Sequence, residues 1–213
     1  LGKERINDKL LYTNTRGFNI EGKIGNKFSF YTSYLENQAE LPSYIREYSN
    51  QNEIVPGQGI AREFGETSFD FGMASGEISY NPNKHFNFTL GQGRNFFGEG
   101  YRSMFLSDVA FNYPFLRVET TIGKVKYVNL WAQMYDIYGS RSSLDIYDKK
   151  FLSSHYLSYN INSRLNISFF EAVVVGDTLQ QRGVDISFFN PVIFYRPIEF
   201  ASGSGGGNVI MGF

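Results

Sequence analysis

Apolar and polar residues alternate with period two along most of this chain. Phe18, Ile20, Gly22 and Ile24 share one parity and Asn19, Glu21 and Lys23 the other, as in a strand with one apolar and one polar face. The same alternation sets Phe86, Phe88 and Leu90 against Asn87 and Thr89, and Leu116, Val118, Thr120 and Ile122 against Arg117, Glu119 and Thr121. It sets Val128, Leu130, Ala132 and Met134 against Asn129, Trp131 and Gln133, and Leu157, Tyr159 and Ile161 against Ser158 and Asn160. Less regular strands are predicted near Phe28–Leu35, Ser68–Tyr80 and Leu165–Val175, giving eight in all. In Ser68–Tyr80 the apolar parity switches between Phe69, Phe71, Met73 and Ile78, Tyr80, which predicts a bulge near Gly72 or Gly76. β-branched and aromatic residues dominate and no sustained i, i+3, i+4 stripe appears, so no helix is predicted.

The connections alternate between short and long. Gly25-Asn26, Asn81–Lys84, Gly123-Lys124 and Asn162–Arg164 are rich in turn residues, whereas 37–65, 92–114, 137–152 and 176–207 are long. Transmembrane barrels combine tight turns on one side with extended loops on the other, and their strands of ~9–11 residues turn apolar faces to lipid. The predicted fold is therefore all-β, a transmembrane antiparallel β-barrel forming a single domain over 1–213. A soluble β-sandwich or lipocalin-like barrel shares the alternation. The four long loops, and tyrosines near strand ends at Tyr12, Tyr34, Tyr80, Tyr127 and Tyr135, favour the membrane, with the tyrosines as interfacial girdles. With short turns on the periplasmic side, the Phe18 strand descends without an ascending neighbour before it, and Asn208–Phe213 is too short for a further crossing. An internal segment of a larger barrel is the expectation, and a true C-terminus at Phe213 the lesser one.

Composition narrows the classes. The chain holds 20 basic and 21 acidic residues, a net charge of −1, so no basic face points to nucleic acid. It has 21 Phe, 15 Tyr and 22 Gly yet a mean hydropathy of only −0.29, a combination suited to barrels whose strands are apolar on one side. No window supplies the roughly 18 apolar residues of a transmembrane helix, and Leu1–Leu10 lacks the basic-then-apolar layout of a signal peptide. There is no cysteine, and the two histidines, His85 and His155, lie far apart, so neither a thiolate nor a zinc centre is predicted and no cofactor is expected.

The segment from Gly91 to Asp108, GQGRNFFGEGYRSMFLSD, is the densest in glycine, aromatic and charge. It lacks the third glycine of a dinucleotide fingerprint and the Gly-Lys-Ser/Thr of a phosphate loop. Its alternating charges Arg94, Glu99, Arg102 and Asp108 among Phe96, Phe97, Tyr101, Met104 and Phe105 predict a loop folded into a barrel lumen, with charges paired and aromatics packed. The competing use is a carbohydrate surface, in which rings stack on sugar faces and charged groups bond hydroxyls. A second loop, Phe188–Asn208, is apolar around Pro191 and Pro197. It carries Arg196 and Glu199, so a cross-loop pair of Arg102 or Arg196 with Glu99 or Asp108 is plausible chemistry. A rim hydrolase would draw on Ser153, Ser154, His155 and Asn160, but adjacent Ser154 and His155 fall on opposite strand faces. Asp136, Asp145 and Asp148 do not match the spacing of a calcium loop.

The runs LGQGRNFFGEGYRSMFLSDVAFNYPFLRVET, KVKYVNLWAQMYD, HYLSYNINSRLNISFFEAVVV and FFNPVIFYRPIEF resemble the Wzi-like outer-membrane proteins, a group of capsule-attachment barrels and RemB-type barrels of gliding bacteria. The likeness runs over Phe86–Phe213 and is most specific at Gly-Glu-Gly-Tyr-Arg-Ser and Asn-Pro-Val-Ile-Phe-Tyr-Arg-Pro. It implies a bacterial outer-membrane location, a barrel of more strands with a lumen closed by folded loops, and no enzymatic activity. Its partners would be outer-membrane lipid, surface polysaccharide and other envelope proteins. The role would be capsule attachment or adhesion, with a structural part in a gliding or secretion machine as the alternative. Arg94, Glu99, Tyr101, Arg102, Asp108 and Arg196 match the family's loop runs and become candidate ligand residues.

Overall fold

The computed structural model describes residues 2–4, 9–141, 147–176, 186–192 and 208–213. Its strands are β1 (Gly2–Lys3), β2 (Leu10–Ile24), β3 (Phe28–Glu40), β4 (Ile54–Val55), β5 (Gly59–Phe64), β6 (Ser68–Tyr80), β7 (Phe86–Gly93), β8 (Tyr113–Ile122), β9 (Val125–Arg141), β10 (Tyr147–Asn162), β11 (Leu165–Gly176) and β12 (Asn208–Gly212). All eight predicted strands are present, most of them longer than the alternation marks, and β1, β4, β5 and β12 are added. They form one antiparallel sheet in the order β1-β2-β3-β6-β7-β8-β9-β10-β11-β12, with β5 on the edge of β6 and β4 on β5. The protein is all-β with an antiparallel sheet; among the described residues the sheet is open, with no pairing between its first and last strands.

Because neighbours are antiparallel, the turns β2–β3, β6–β7, β8–β9 and β10–β11 fall at one end and the other connections at the opposite end. Gly25 (φ 61°) and Gly123 (φ 59°) supply left-handed corners in two of the short turns. Three expectations need correction at the other end. The connection after β3 contains a helix, α1 (Ser43–Asn52), where none was predicted. The expected long loop 137–152 is mostly hairpin, since β9 runs to Arg141 and β10 begins at Tyr147. And β6 has no bulge: its pairing with β3 runs without a shift from Phe28↔Tyr80 to Ala39↔Phe69.

The unbroken register gives the parity switch of β6 a different cause. Phe69, Phe71, Met73, Ser75, Glu77 and Ser79 all lie on one side of the sheet, face I, and Ile78 and Tyr80 on the other, face II. Face I changes polarity along its length instead of changing sides. Toward the long connections it is apolar and covered, with Ala39, Phe69 and Phe71 packing on Val55 and Ala61. Toward the short turns it is polar, carrying Glu21, Lys23, Glu77, Arg117, Glu119 and Lys126.

Face II in that same half has one charged residue among those described, Glu171 at its border, which is buried opposite His155. Across the strands it presents Phe18, Ile20 and Ile24; Phe28, Phe30 and Tyr34; Ile78 and Tyr80; Phe86, Phe88 and Leu90; Leu116, Val118 and Ile122; Val125 and Tyr127; Leu157 and Tyr159; and Ile167 and Phe169. Many of these are open to the surroundings, including Ile24 at 67 % and Leu90 at 65 % of full exposure. The five tyrosines noted near strand ends, Tyr12, Tyr34, Tyr80, Tyr127 and Tyr135, all register on face II. One strand departs from the predicted orientation: the apolar parity of β9, Val128 to Met134, lies on face I, where it is buried. No described helix is long and apolar enough to cross a membrane, which says nothing of the strands.

Candidate functional site

The connection from β7 to β8, residues 94–112, is laid onto face I. Phe97 is buried there, its ring stacked on Tyr156 at 5.3 Å and tilted against Phe170 at 5.9 Å, and Phe105 stacks on Phe170 at 5.3 Å. These rings complete a core with Tyr113, Phe115, Val128, Leu130, Leu152 and Ala172. The loop is narrowed by a bridge in which the Phe97 N–H donates to the Leu106 carbonyl at 3.0 Å. Ser103 closes it further: its hydroxyl donates to the Phe97 carbonyl and accepts from the Phe105 N–H at 2.9 Å. Gly98, at φ 127°, sits beside that hydroxyl in a conformation that excludes a side chain.

Polar anchors fix the two ends of the loop. Arg94 donates to Asn112 Oδ1 at 3.1 Å and the Asp108 carbonyl at 3.2 Å. It also reaches the Gly57 carbonyl, at 2.6 Å, and so ties this loop to the one between β4 and β5. The Asn95 N–H donates to the Tyr113 hydroxyl at 3.0 Å, and Asn95 Oδ1 accepts from Arg117 at 2.8 Å. Arg117 continues into a ladder on the wall beneath, in charge contact with Glu119 at 3.0 Å and Glu77 at 4.0 Å, while Lys126 meets Glu119 at 2.7 Å. A guanidinium that donates to one amide, lies in charge contact with two carboxylates and sits 5.6 Å over the Phe115 ring is held in one place, and the loop's first turn with it.

The sequence candidates divide accordingly. Arg94 is an anchor, half-buried and turned to carbonyls instead of acidic partners. Glu99, Tyr101, Arg102 and Asp108 are exposed. No ion pair joins Glu99, Arg102 or Asp108 to another described residue, so the expected pairing of loop charges is replaced by Arg94–carbonyl and Arg117–Asn95 bonds. Desolvating a carboxylate is costly, and neutral acceptors serve the buried end of the loop without it. Arg196 lies outside the described residues. The exposed tip, Glu99 to Met104, leaves Tyr101 at 96 % and Met104 at 95 % of full exposure, a projecting aromatic and thioether flanked by opposite charges.

No protein-family model, curated protein or solved structure matches this chain.

A second polar group, which the alternation hides, lies on face II near the long connections. Asn129, His155 and Glu171 stand directly opposite one another on β9, β10 and β11, and all three are buried. His155 Nδ1 lies 2.8 Å from Asn129 Oδ1 and 3.1 Å from the Tyr127 hydroxyl, which donates to the Pro191 carbonyl at 2.7 Å. The covering segment is a 3₁₀ turn, Ile186–Phe189, and the residues after it, where Trp131 Nε1 donates to the Phe188 carbonyl at 3.1 Å and Phe189 packs on the indole. Ser153 shares the face of His155 and Ser154 lies on the other. Neither hydroxyl has a hydrogen-bond partner among the described residues, so no serine is bonded to the imidazole. The available signal was a polar residue in an apolar parity, His155 beside Leu157 and Glu171 beside Phe169. Their mutual alignment becomes visible only with the register. Among the described residues no group of three or more His, Asp or Glu is placed to hold a metal ion.

Proposed function

We propose that this chain is part of a bacterial outer-membrane β-barrel whose face II meets lipid and whose face I lines a lumen occupied by the 94–112 loop. The observation that carries this is the segregation of charge: among the described strand residues of the short-turn half the charged ones lie on face I, apart from Glu171 at its border, which is on face II and buried opposite His155. On β2 the stretch Gly17–Ile24, uncharged on face II, ends where Arg16 pairs with Glu36. Eight residues at 3.3 Å each extend about 26 Å along the strand, or roughly 20 Å of membrane depth at a tilt near 40°, at the thin end of spanning bands. Closure of the sheet into a barrel satisfies the edges of β2 and β12, which an apolar environment would otherwise leave without hydrogen-bond partners.

Within this barrel the loop tip is the surface offered to the outside, and its proposed role is non-catalytic attachment of cell-surface polysaccharide, in keeping with the resemblance to capsule-attachment barrels. Glu99, Tyr101 and Arg102 are free for it, a ring for a sugar face and two charges for hydroxyls, on a base made rigid by Phe97 and Arg94. Cells carrying Glu99→Ala/Arg102→Ala should insert the protein normally, by heat-dependent gel migration, and shed polysaccharide into the medium. If cells deleted for the gene retain polysaccharide unchanged, attachment is wrong. The projecting Tyr101 and Met104 then favour the second reading, a structural subunit that docks another envelope protein in a gliding or secretion machine.

A further inference from the structure

Each of the four short turns carries one basic residue and no acidic one: Lys27 after β2, Lys84 after β6, Lys124 after β8 and Arg164 after β10. All four are exposed, and none meets a carboxylate among the described residues. Several strand cations behave otherwise, Arg16 sitting on Glu36, Arg117 and Lys126 on Glu119, and Lys150 near Asp136. Residues 19–33, 75–91, 117–128 and 156–170, the short-turn half, hold seven basic and three acidic residues, against 20 and 21 in the whole chain. The positive excess thus belongs to one end of the sheet.

Position gives this charge a use. The four turns lie along one rim because the hairpins alternate, and immediately above that rim face II begins its uncharged band with Ile24, Phe28, Tyr80, Ile122 and Tyr159. Lys27 and Lys84 share a cleft of about 460 Å³ with Asn26, Asn83 and His85. Lys124 is braced by a 2.9 Å bond to the Ile161 carbonyl of the next hairpin. We propose that this rim is a binding site for the phosphate headgroups of anionic phospholipids in the leaflet on the short-turn side. The proposal rests on the membrane reading above. A bilayer leaflet is the one occupant that matches both features, since it brings acyl chains to the band and phosphates to the cations next to it. An acidic protein would match only the charge. Near an anionic surface each cation contributes roughly fivefold.

The full-length protein containing this chain, refolded into vesicles of phosphatidylcholine with one-third phosphatidylglycerol, is scored for insertion by heat-dependent gel migration, and the lipids it keeps in mild detergent are counted by native mass spectrometry. The wild type should retain phosphatidylglycerol over phosphatidylcholine by about tenfold or more relative to the bulk mixture. Lys27→Gln/Lys84→Gln/Lys124→Gln/Arg164→Gln should migrate like wild type and lose most of that preference, while Lys126→Gln, on face I, should keep it. A wild type that inserts without a lipid preference, or a quadruple variant that keeps it, overturns the rim site and leaves the barrel standing, with an acidic protein as the remaining occupant. A wild type that shows no heat-dependent migration overturns the barrel and the rim with it.

Discussion

Glycine makes room for the aromatic inlay at two places. A Cβ on Gly91 would stand 2.9 Å from Glu77 Cγ and 3.0 Å from Phe115 Cζ, and one on Gly212 would overlap the Phe105 ring. Phe105 therefore lies between Phe170 and the backbone of β12, and a side chain at residue 212 would lift it out. Phe97 contributes more, because it is buried and touches two rings. Phe97→Ala should lower the local stability of the loop by about 3 kcal/mol, at the low end of the range for a buried phenylalanine. Hydrogen exchange checks it: the bridge amide of residue 97 should exchange roughly a hundredfold faster, and the Leu130 amide on β9 should not change. Equal acceleration at both sites would mean that the ring supports the sheet and not the loop. The candidates Glu99 and Arg102 were legible in the sequence as charges in a glycine-rich loop. What the sequence concealed is that Arg94, of the same type and only a few residues away, is consumed by backbone carbonyls of two loops, which are brought together by strand pairing.

At the scale of elements, the strands were legible because each half-exposed strand must choose one side for its apolar residues, and the short turns because Gly25, Gly123 and the Asn-Pro-Asn run specify corners. Helix α1 was not, since its sequence, SYIREYSNQN, has no apolar stripe and its stop is Glu53 at φ 55° in place of glycine. Partners distant in sequence hold it: Glu4 accepts from the Ser43 N–H at 2.7 Å, and the Tyr147 hydroxyl donates to the Asn52 carbonyl at 2.8 Å. The parity switch of β6 and the inward apolar parity of β9 misled for one shared reason. Face I is covered near the long connections and polar near the short turns, so apolar residues move between faces along a strand without any slip of register. This arrangement also sets sidedness. Trypsin added to intact cells should cut at Arg102 in the exposed tip and spare Lys124 and Arg164, whereas trypsin admitted to the periplasm should reverse the pattern. Cleavage at Lys124 from outside would invert the orientation.

For the molecule as a whole, one sheet serves two environments. Its covered half joins the loops into an aromatic core, and its other half separates a charged face from an uncharged one. Burial of the polar row Asn129–His155–Glu171 under the Phe188–Val192 segment follows the same logic, because these are the polar groups that would otherwise interrupt face II. The most direct test uses the absence of natural cysteine. Single cysteines at Ile20, Ile78 and Leu90 on face II, and at Asn19, Ser79 and Thr121 on face I, would be labelled with an environment-sensitive fluorophore and the proteins refolded into vesicles. The account predicts blue-shifted emission quenched by lipid-borne spin labels for the first three and red-shifted emission quenched by aqueous iodide for the second three. Emission that fails to alternate between residues 19 and 20 and between 78 and 79, with all six sites open to iodide, would contradict a lipid-facing face II.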